Sequence, residues 1–253
     1  MMLTTEQLGY RYGAAGDWIF RDLDLAVPRG AVCAILGPNG RGKTTLLKAL
    51  LGVLTPREGR LRVAGSVGYV PQSLQAPFPY RSLDMVVMGR SRHIGLFASP
   101  QREDYAIALD ALTRLGAAQH AERPVTELSG GERQLVMIAR AVASQADLLI
   151  LDEPASALDY YNQQAVLRAL AELARRDGKT VVFTTHNPQH ALAVADHALA
   201  LHRGGGYEMG PVDAVLSEHR LSELYGLTIR CAEVHHHDRA VRGVFPIFEG
   251  CHR

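Results

Sequence analysis

Cysteine is scarce. Cys33, Cys231 and Cys251 are the whole complement of a 253-residue chain. An odd number without close pairing supplies neither a disulfide framework nor a zinc or redox motif, and it fits a reducing compartment. Charge of one sign is missing too. The formal net charge is +1, which leaves no footprint for nucleic acid or an anionic membrane. No apolar run approaches the roughly 18 residues needed to span a bilayer, so any membrane role is expected to run through a partner. Met1-Met2-Leu3-Thr4-Thr5-Glu6 lacks a basic segment followed by an apolar one, and no signal peptide is expected. There is no internal repeat and no low-complexity linker. What is present is ordinary globular composition, 47% hydrophobic and 21% charged. The length suits one large domain or two small ones with a sizeable core.

Short apolar runs alternate with helical periods. Ala31–Leu36, Leu148–Leu151 and Thr180–Thr185 are continuously apolar or nearly so, as strands buried on both faces are. Thr45–Leu51, Asn162–Arg176, Ala191–Ala195 and residues 212–225 read as helices between or after them, and Ala198–Leu201 as a last core strand. Strand–helix alternation of this kind implies a parallel sheet covered on both sides. Leu23–Val27, turned by Pro28-Arg29-Gly30, has the period of two expected of a small antiparallel layer. Leu61–Val63 and Val67–Val70 read as strands around Gly65. Residues 83–143 change character: Leu83–Met88, Asp104–Leu115 and Gly130–Ser144 are helical, the last with Leu135, Ile138, Ala139 and Val142 on one face. The expected fold is α/β, a mostly parallel sheet flanked by helices, with an antiparallel β layer and an inserted helical subdomain over about residues 76–143. The core is expected over 1–230. Residues 227–253 are weakly patterned, and 231–253 are expected to be a solvated tail.

The stretch Gly37-Pro38-Asn39-Gly40-Arg41-Gly42-Lys43-Thr44-Thr45 fits G-x-x-x-x-G-K-[ST], the phosphate loop of P-loop nucleotidases. A strand before it and a helix after it aim backbone N–H groups and a helix N-terminus at a phosphate. Lys43 brings positive charge to the outer phosphates, and the Thr44 hydroxyl is placed to bind Mg²⁺. A second acid-bearing strand is expected, and Leu148–Leu151 delivers Asp152 at its C-terminal end, where ligands bind in such sheets. Asp152 suits the Mg²⁺ shell. Glu153, next to it, suits polarising the water that attacks a γ-phosphate. His186 stands at the end of the next core strand, within reach of a γ-phosphate oxygen or that water. Gln72 follows the strand ending at Val70, and its amide oxygen suits the Mg²⁺ or the water.

Leu128-Ser129-Gly130-Gly131-Glu132-Arg133-Gln134 is the signature motif of ABC ATPases, and over residues 3–225 the chain resembles an ABC nucleotide-binding subunit. The resemblance implies a P-loop NTPase core that binds ATP with Mg²⁺. Tyr12 then matches the aromatic that stacks on adenine, Gly37–Thr45 Walker A, and Gln72 the Q-loop. Asp152 and Glu153 match Walker B and its catalytic glutamate, Ser156-Ala157-Leu158-Asp159 the D-loop, and His186 the switch histidine. Ser129-Gly130-Gly131 opens a helix, so a hydroxyl and free N–H groups form an anion site. The helical insertion projects this site outward, which implies service to a second copy bound head to tail, with two ATP molecules sandwiched and Asp159 coupling the sites. Three positions depart from the family pattern: Arg41 where a small residue is common, Ala155 for Thr, and Asn187 for Asp. None removes a catalytic group.

Leu83-Asp84-Met85-Val86-Val87-Met88-Gly89-Arg90, with Gly95-Leu96-Phe97 and Pro100, is similar to the metal-chelate importer class, as is Leu224-Tyr225-Gly226. That class takes up ferric siderophores, haem or cobalamin, with molybdate and tungstate systems related. It implies a homodimer peripheral to the cytoplasmic side of the inner membrane, two transmembrane permease subunits and, indirectly, a substrate-binding protein. The stretch after Gln72 would line the groove that takes a permease helix. The alternatives are a soluble ABC ATPase acting on nucleic acid or ribosomes, opposed by the near-neutral charge, and an exporter's ATPase subunit, opposed by the post-Gln72 stretch. The run His235-His236-His237-Asp238, then Cys251-His252, has metal-binding residue types but no organising spacing.

Overall fold

The fold was analysed in a computed structural model, which describes residues 1–13, 16–72, 78–95, 97–156, 158–237 and 239–250. The chain opens with β1 (Leu3–Arg11) and β2 (Trp18–Val27), then β3 (Val32–Leu36) and α1 (Lys43–Leu50). Next come β4 (Glu58–Val63) and β5 (Val67–Val70), followed by α2 (Ser82–Val87), α3 (Arg102–Arg114) and α4 (Gly130–Ala143). The chain then alternates through β6 (Leu148–Leu151), α5 (Tyr160–Arg175), β7 (Thr180–Thr185), α6 (Pro188–Val194) and β8 (His197–Leu201). It finishes with β9 (Tyr207–Pro211), α7 (Val212–Val215), α8 (Glu218–Tyr225), β10 (Ile229–His236) and β11 (Arg239–Pro246).

The central sheet has the order β5-β6-β7-β3-β8-β9, parallel except at β8–β9. Its strands feed two cores at once. On β3, Val32, Ala34 and Leu36 face the helical side, while Cys33 and Ile35 face the antiparallel layer and α1. On β6, Leu149 and Leu151 take the first side and Leu148 and Ile150 the second. This division is why these strands are apolar at every position rather than at every other one. A three-stranded antiparallel sheet, β2-β1-β4, closes the second core.

The helical insertion packs α2, α3 and α4 together. Arg90, which is buried, links α3 to the end of α4: it donates to Asp104 (3.1 Å), Gln145 Oε1 (2.7 Å) and the Ala143 carbonyl (3.1 Å).

Leu61–Val63 and Val67–Val70 are strands and go to different sheets: β4 joins the antiparallel layer and β5 the parallel sheet. Two expectations change. Ala198–Leu201 is not the last strand, because β9 returns antiparallel beside β8. The expected tail, which reads as weakly patterned, is regular. β10 and β11 form a two-stranded hairpin in register from Ile229↔Pro246 to His236↔Arg239. One face is half polar and packs inward through Ile229, Cys231 and Val244. Burying so few side chains leaves a weak periodic signal, which is why the pattern escapes a reading of sequence. Asp238, Cys251 and His252 lie outside the described residues, as does the His236 side chain. Among the described residues there is no group of three or more His, Cys, Asp or Glu placed to hold a metal.

Candidate active site at the strand ends

The loop between β3 and α1 is built around Gly42. This residue is the N-cap of α1 with φ of 83°, and a Cβ there would come within 2.3 Å of Ile19 Cγ2. Only glycine meets both demands. Lys43 is the first residue of the helix and is buried, and its Nζ donates to the Gly37 carbonyl at 2.8 Å and the Pro38 carbonyl at 3.4 Å. Thr44 is exposed at the same end. Pro38, Asn39 and Gly40 form the rim of the loop.

β6 ends in Asp152 and Glu153, between β5 and β7. Glu153 takes φ of 46°, a left-handed conformation that few residues other than glycine adopt and that costs on the order of 1–3 kcal/mol. Its carbonyl accepts from the Ser156 N–H at 3.2 Å and the Ser156 hydroxyl at 3.1 Å, and β7 supplies further bonds. Thr184 Oγ1 donates to Asp152 Oδ1 at 2.6 Å and accepts from the Glu153 N–H at 2.8 Å. Thr184 was visible in the sequence only as a hydroxyl in an apolar strand, and it carries the turn on which both acids stand.

Three of the expected residues converge on the carboxylate of a fourth. Glu153 receives Lys43 Nζ at 3.3 Å, Gln72 Nε2 at 3.4 Å and His186 Nδ1 at 3.2 Å. Gln72 therefore presents its amide nitrogen to Glu153, where the sequence suggested its oxygen as the reaching atom. His186 is exposed, and its backbone carbonyl accepts the Tyr225 hydroxyl at 2.7 Å. Asn187 caps α6 by accepting from the Gln189 N–H at 2.9 Å, and Thr185 Oγ1 accepts from the Asn187 N–H at 3.0 Å. Behind them His190 is buried between Thr185 and Gln163. Burial first, and the neighbouring His186 second, push its pKa below the usual imidazole value.

Tyr12 is half-exposed at the end of β1, with its hydroxyl 3.2 Å from Thr45 Oγ1 and its ring edge-on to Tyr10. The remaining expected residues lie elsewhere. Ser129 caps α4 and shares a capping box with Glu132: Ser129 N–H donates to Oε2 at 2.8 Å, and Glu132 N–H donates to Ser129 Oγ at 3.3 Å. Ser129 and Gly130 are exposed. Gly131 is buried against Asn162, whose Cγ would lie 2.5 Å from a Cβ at that position. Asn162 in turn donates its N–H and its side-chain amide to Asp159, the N-cap of α5, at 2.8 and 3.0 Å. The start of α4 and the start of α5 are thus one contiguous surface, a link the sequence did not disclose. Ala157 lies outside the described residues.

A groove of about 870 Å³ opens beside α2, lined by Tyr80, Val87, Met88, Ile94, Pro100 and Tyr105 among others. Val87, Met88, Gly95 and Pro100 of that stretch line it, while Met85 and Val86, with Val87, also join the core. Leu96 is outside the described residues.

The site's chemistry suits an anionic phosphate. A buried lysine faces a carboxylate at a helix N-terminus, and Arg41 in the same loop has a buried Nε with no hydrogen-bond partner. An anion would satisfy both. Thr44, Asp152 and Gln72 supply the hard oxygen donors that Mg²⁺ prefers.

The family model of the ABC transporter matches residues 20–156. The molybdate import ATP-binding protein MolC of Haemophilus influenzae is 44% identical over 225 residues, covering 89% of this chain and 88% of that protein. The manganese transport system ATP-binding protein MntB of Bacillus subtilis is 38% identical over 218 residues, covering 82% and 86%. A solved structure described as an inward-facing conformation of a putative metal-chelate type ABC transporter superposes with a TM-score of 0.92 at 41% identity, covering 98% of both chains. With its phosphate loop, its strand-end acids and its capped signature helix in place, the chain belongs to the ABC transporter family as an ATP-binding subunit.

Proposed function

We propose that this chain drives uptake of a metal oxyanion or metal chelate, working as a homodimer on the cytoplasmic face of a membrane beneath two permease subunits. One observation carries the catalytic part: Lys43, Gln72 and His186 all meet the Glu153 carboxylate. These partners are the groups a γ-phosphate and its attacking water would take. Lys43 leaves Glu153 for the phosphates. Glu153, so released, accepts a proton from water aligned for in-line attack. His186 steadies the γ-phosphate, and Tyr12 stacks on adenine. Mg²⁺, when bound, supplies charge neutralisation on the phosphate oxygens, and Thr44, Asp152 and Gln72 would hold it. Ser129, Gly130 and Gly131 offer N–H groups and a hydroxyl to the nucleotide of a second copy. Asp159 lies against the same surface through Asn162.

The groove beside α2 fits a permease helix, because it is open, mostly apolar and rimmed by Arg81 and Asp84. The named relatives point to a metal-bearing solute: molybdate for one, manganese for another and a metal chelate for the solved transporter.

The test is Glu153→Gln. It is expected to accumulate an ATP-bound dimer on size exclusion while turnover falls by about 10²–10⁴-fold. Full hydrolysis by that variant overturns the assignment. The solute is read by reconstituting the chain with its permease and comparing uptake of molybdate, a ferric chelate and Mn²⁺. Uptake of Mn²⁺ alone overturns the oxyanion or chelate reading.

A further inference from the structure

His186 is exposed, and among the described residues the hydrogen bond of its ring is the one to Glu153 at 3.2 Å. A ring held by one such bond depends on its backbone for placement. Three ties hold that backbone. Thr185 Oγ1 accepts from the Asn187 N–H on one side. The Tyr225 hydroxyl donates to the carbonyl of His186 itself at 2.7 Å. Three residues on, Gln189 is gripped by β11: its Nε2 donates to the Arg242 carbonyl at 2.9 Å, and its Oε1 accepts from the Val244 N–H at 3.2 Å. Two of the three ties therefore come from beyond residue 224.

We propose that Tyr225 is a positioning residue for His186, setting the distance of the histidine from Glu153, with the β10–β11 hairpin as its brace through Gln189. Tyr225 is well suited to this. It is the last residue of α8, anchored by the buried Leu221 and Leu224, and Gly226 ends the helix in the left-handed conformation at φ of 69°. Its ring packs against the core on the helical side. Burial raises the phenol's pKa, so the hydroxyl remains a donor at any working pH. The hairpin was expected to be a loose tail. It packs instead on α8 through β10 and on α6, the helix that begins next to the histidine, through β11. This inference rests on the reading of His186 as the residue that steadies the γ-phosphate.

The test uses the purified full chain and four forms: parent, Tyr225→Phe, His186→Ala and the double variant. Tyr225→Phe keeps the ring and its packing. It is expected to keep the thermal midpoint and the KM for ATP, while kcat falls about tenfold. Because Tyr225 acts through His186, the double variant is expected to be no slower than His186→Ala alone. Gln189→Ala, which loosens the brace from the other side, is expected to lower kcat by a smaller factor with KM unchanged. A crippled His186→Ala beside a fully active Tyr225→Phe would overturn the positioning role alone. So would a double variant slowed by the product of the two single effects. His186→Ala turning over at the parental rate would instead overturn the assignment of His186, and this proposal with it.

Discussion

The C-terminal ends of β3, β6 and β7 differ in kind from the start of α4. At the strand ends the two acids, the lysine and the histidine face partners within the chain: Lys43 meets Glu153, Asp152 meets Thr184, and His186 meets Glu153. At the start of α4, Ser129 and Gly130 are exposed, and among the described residues the polar partner of the Ser129 side chain is its own helix. One region is assembled by packing, with charges neutralised before nucleotide arrives. The other is a helix N-terminus with donors to spare. On the proposed reading the strand ends bind nucleotide in a single chain, whereas α4 serves the nucleotide of a second copy.

The largest expected effect tests that division. Lys43→Ala should reduce turnover by about 10²-fold or more, and nucleotide binding by the single chain should fall with it. Ser129→Ala should reduce turnover by about tenfold yet leave single-chain nucleotide affinity unchanged, apart from a cap loss of about 1 kcal/mol in stability. Equilibrium binding of a fluorescent ATP analogue beside steady-state hydrolysis separates the two. If Ser129→Ala weakened single-chain binding as Lys43→Ala does, the two regions would not differ.

A smaller effect sharpens the strand-end side. Thr184→Val keeps the shape of β7 but leaves the buried Asp152 carboxylate without its donor and the Glu153 N–H without its acceptor. The cost should be about 1–3 kcal/mol, read as a lower urea midpoint, with turnover reduced as Glu153 leaves its strained conformation. An unchanged midpoint would mean the turn is held from elsewhere.

The smallest effect belongs to α4. The Ser129 N–H and hydroxyl hold the Glu132 carboxyl below its usual 4.5, with His120 and Arg123 adding a little. A depressed folded pKa means the contribution is full above that usual value and is lost as pH falls through the lower folded one. Glu132→Gln should cost about 0.5 kcal/mol near neutrality and less in acid, so its urea midpoint should fall less than the parent's on acidification. A parallel fall in both proteins would show that Glu132 does not contribute to the acid limb.

Much of the site was legible because its cues are local. A glycine loop between an apolar strand and a helix announces Lys43 and Thr44, and an apolar strand ending in two acids announces Asp152 and Glu153. The rest was hidden by distance along the chain. Thr184 lies 32 residues from the acid it supports, Tyr225 lies 39 from His186, and Asn162 meets Gly131 across two helix starts. None of these pairs has a period or spacing that would betray it. The hairpin was missed for a related reason: it buries one partly polar face, so its alternation is faint.

Residue order alone determined which strands are buried on both faces, that helices lie between them and which residues are candidates for phosphate chemistry, because backbone geometry and side-chain period act over a few neighbours. Only the tertiary structure decided that β4 and β5 part company, that three side chains share Glu153, and that the last strands brace the histidine. Those outcomes depend on sheet order and register, which are settled by the packing of two whole cores and not by any single stretch.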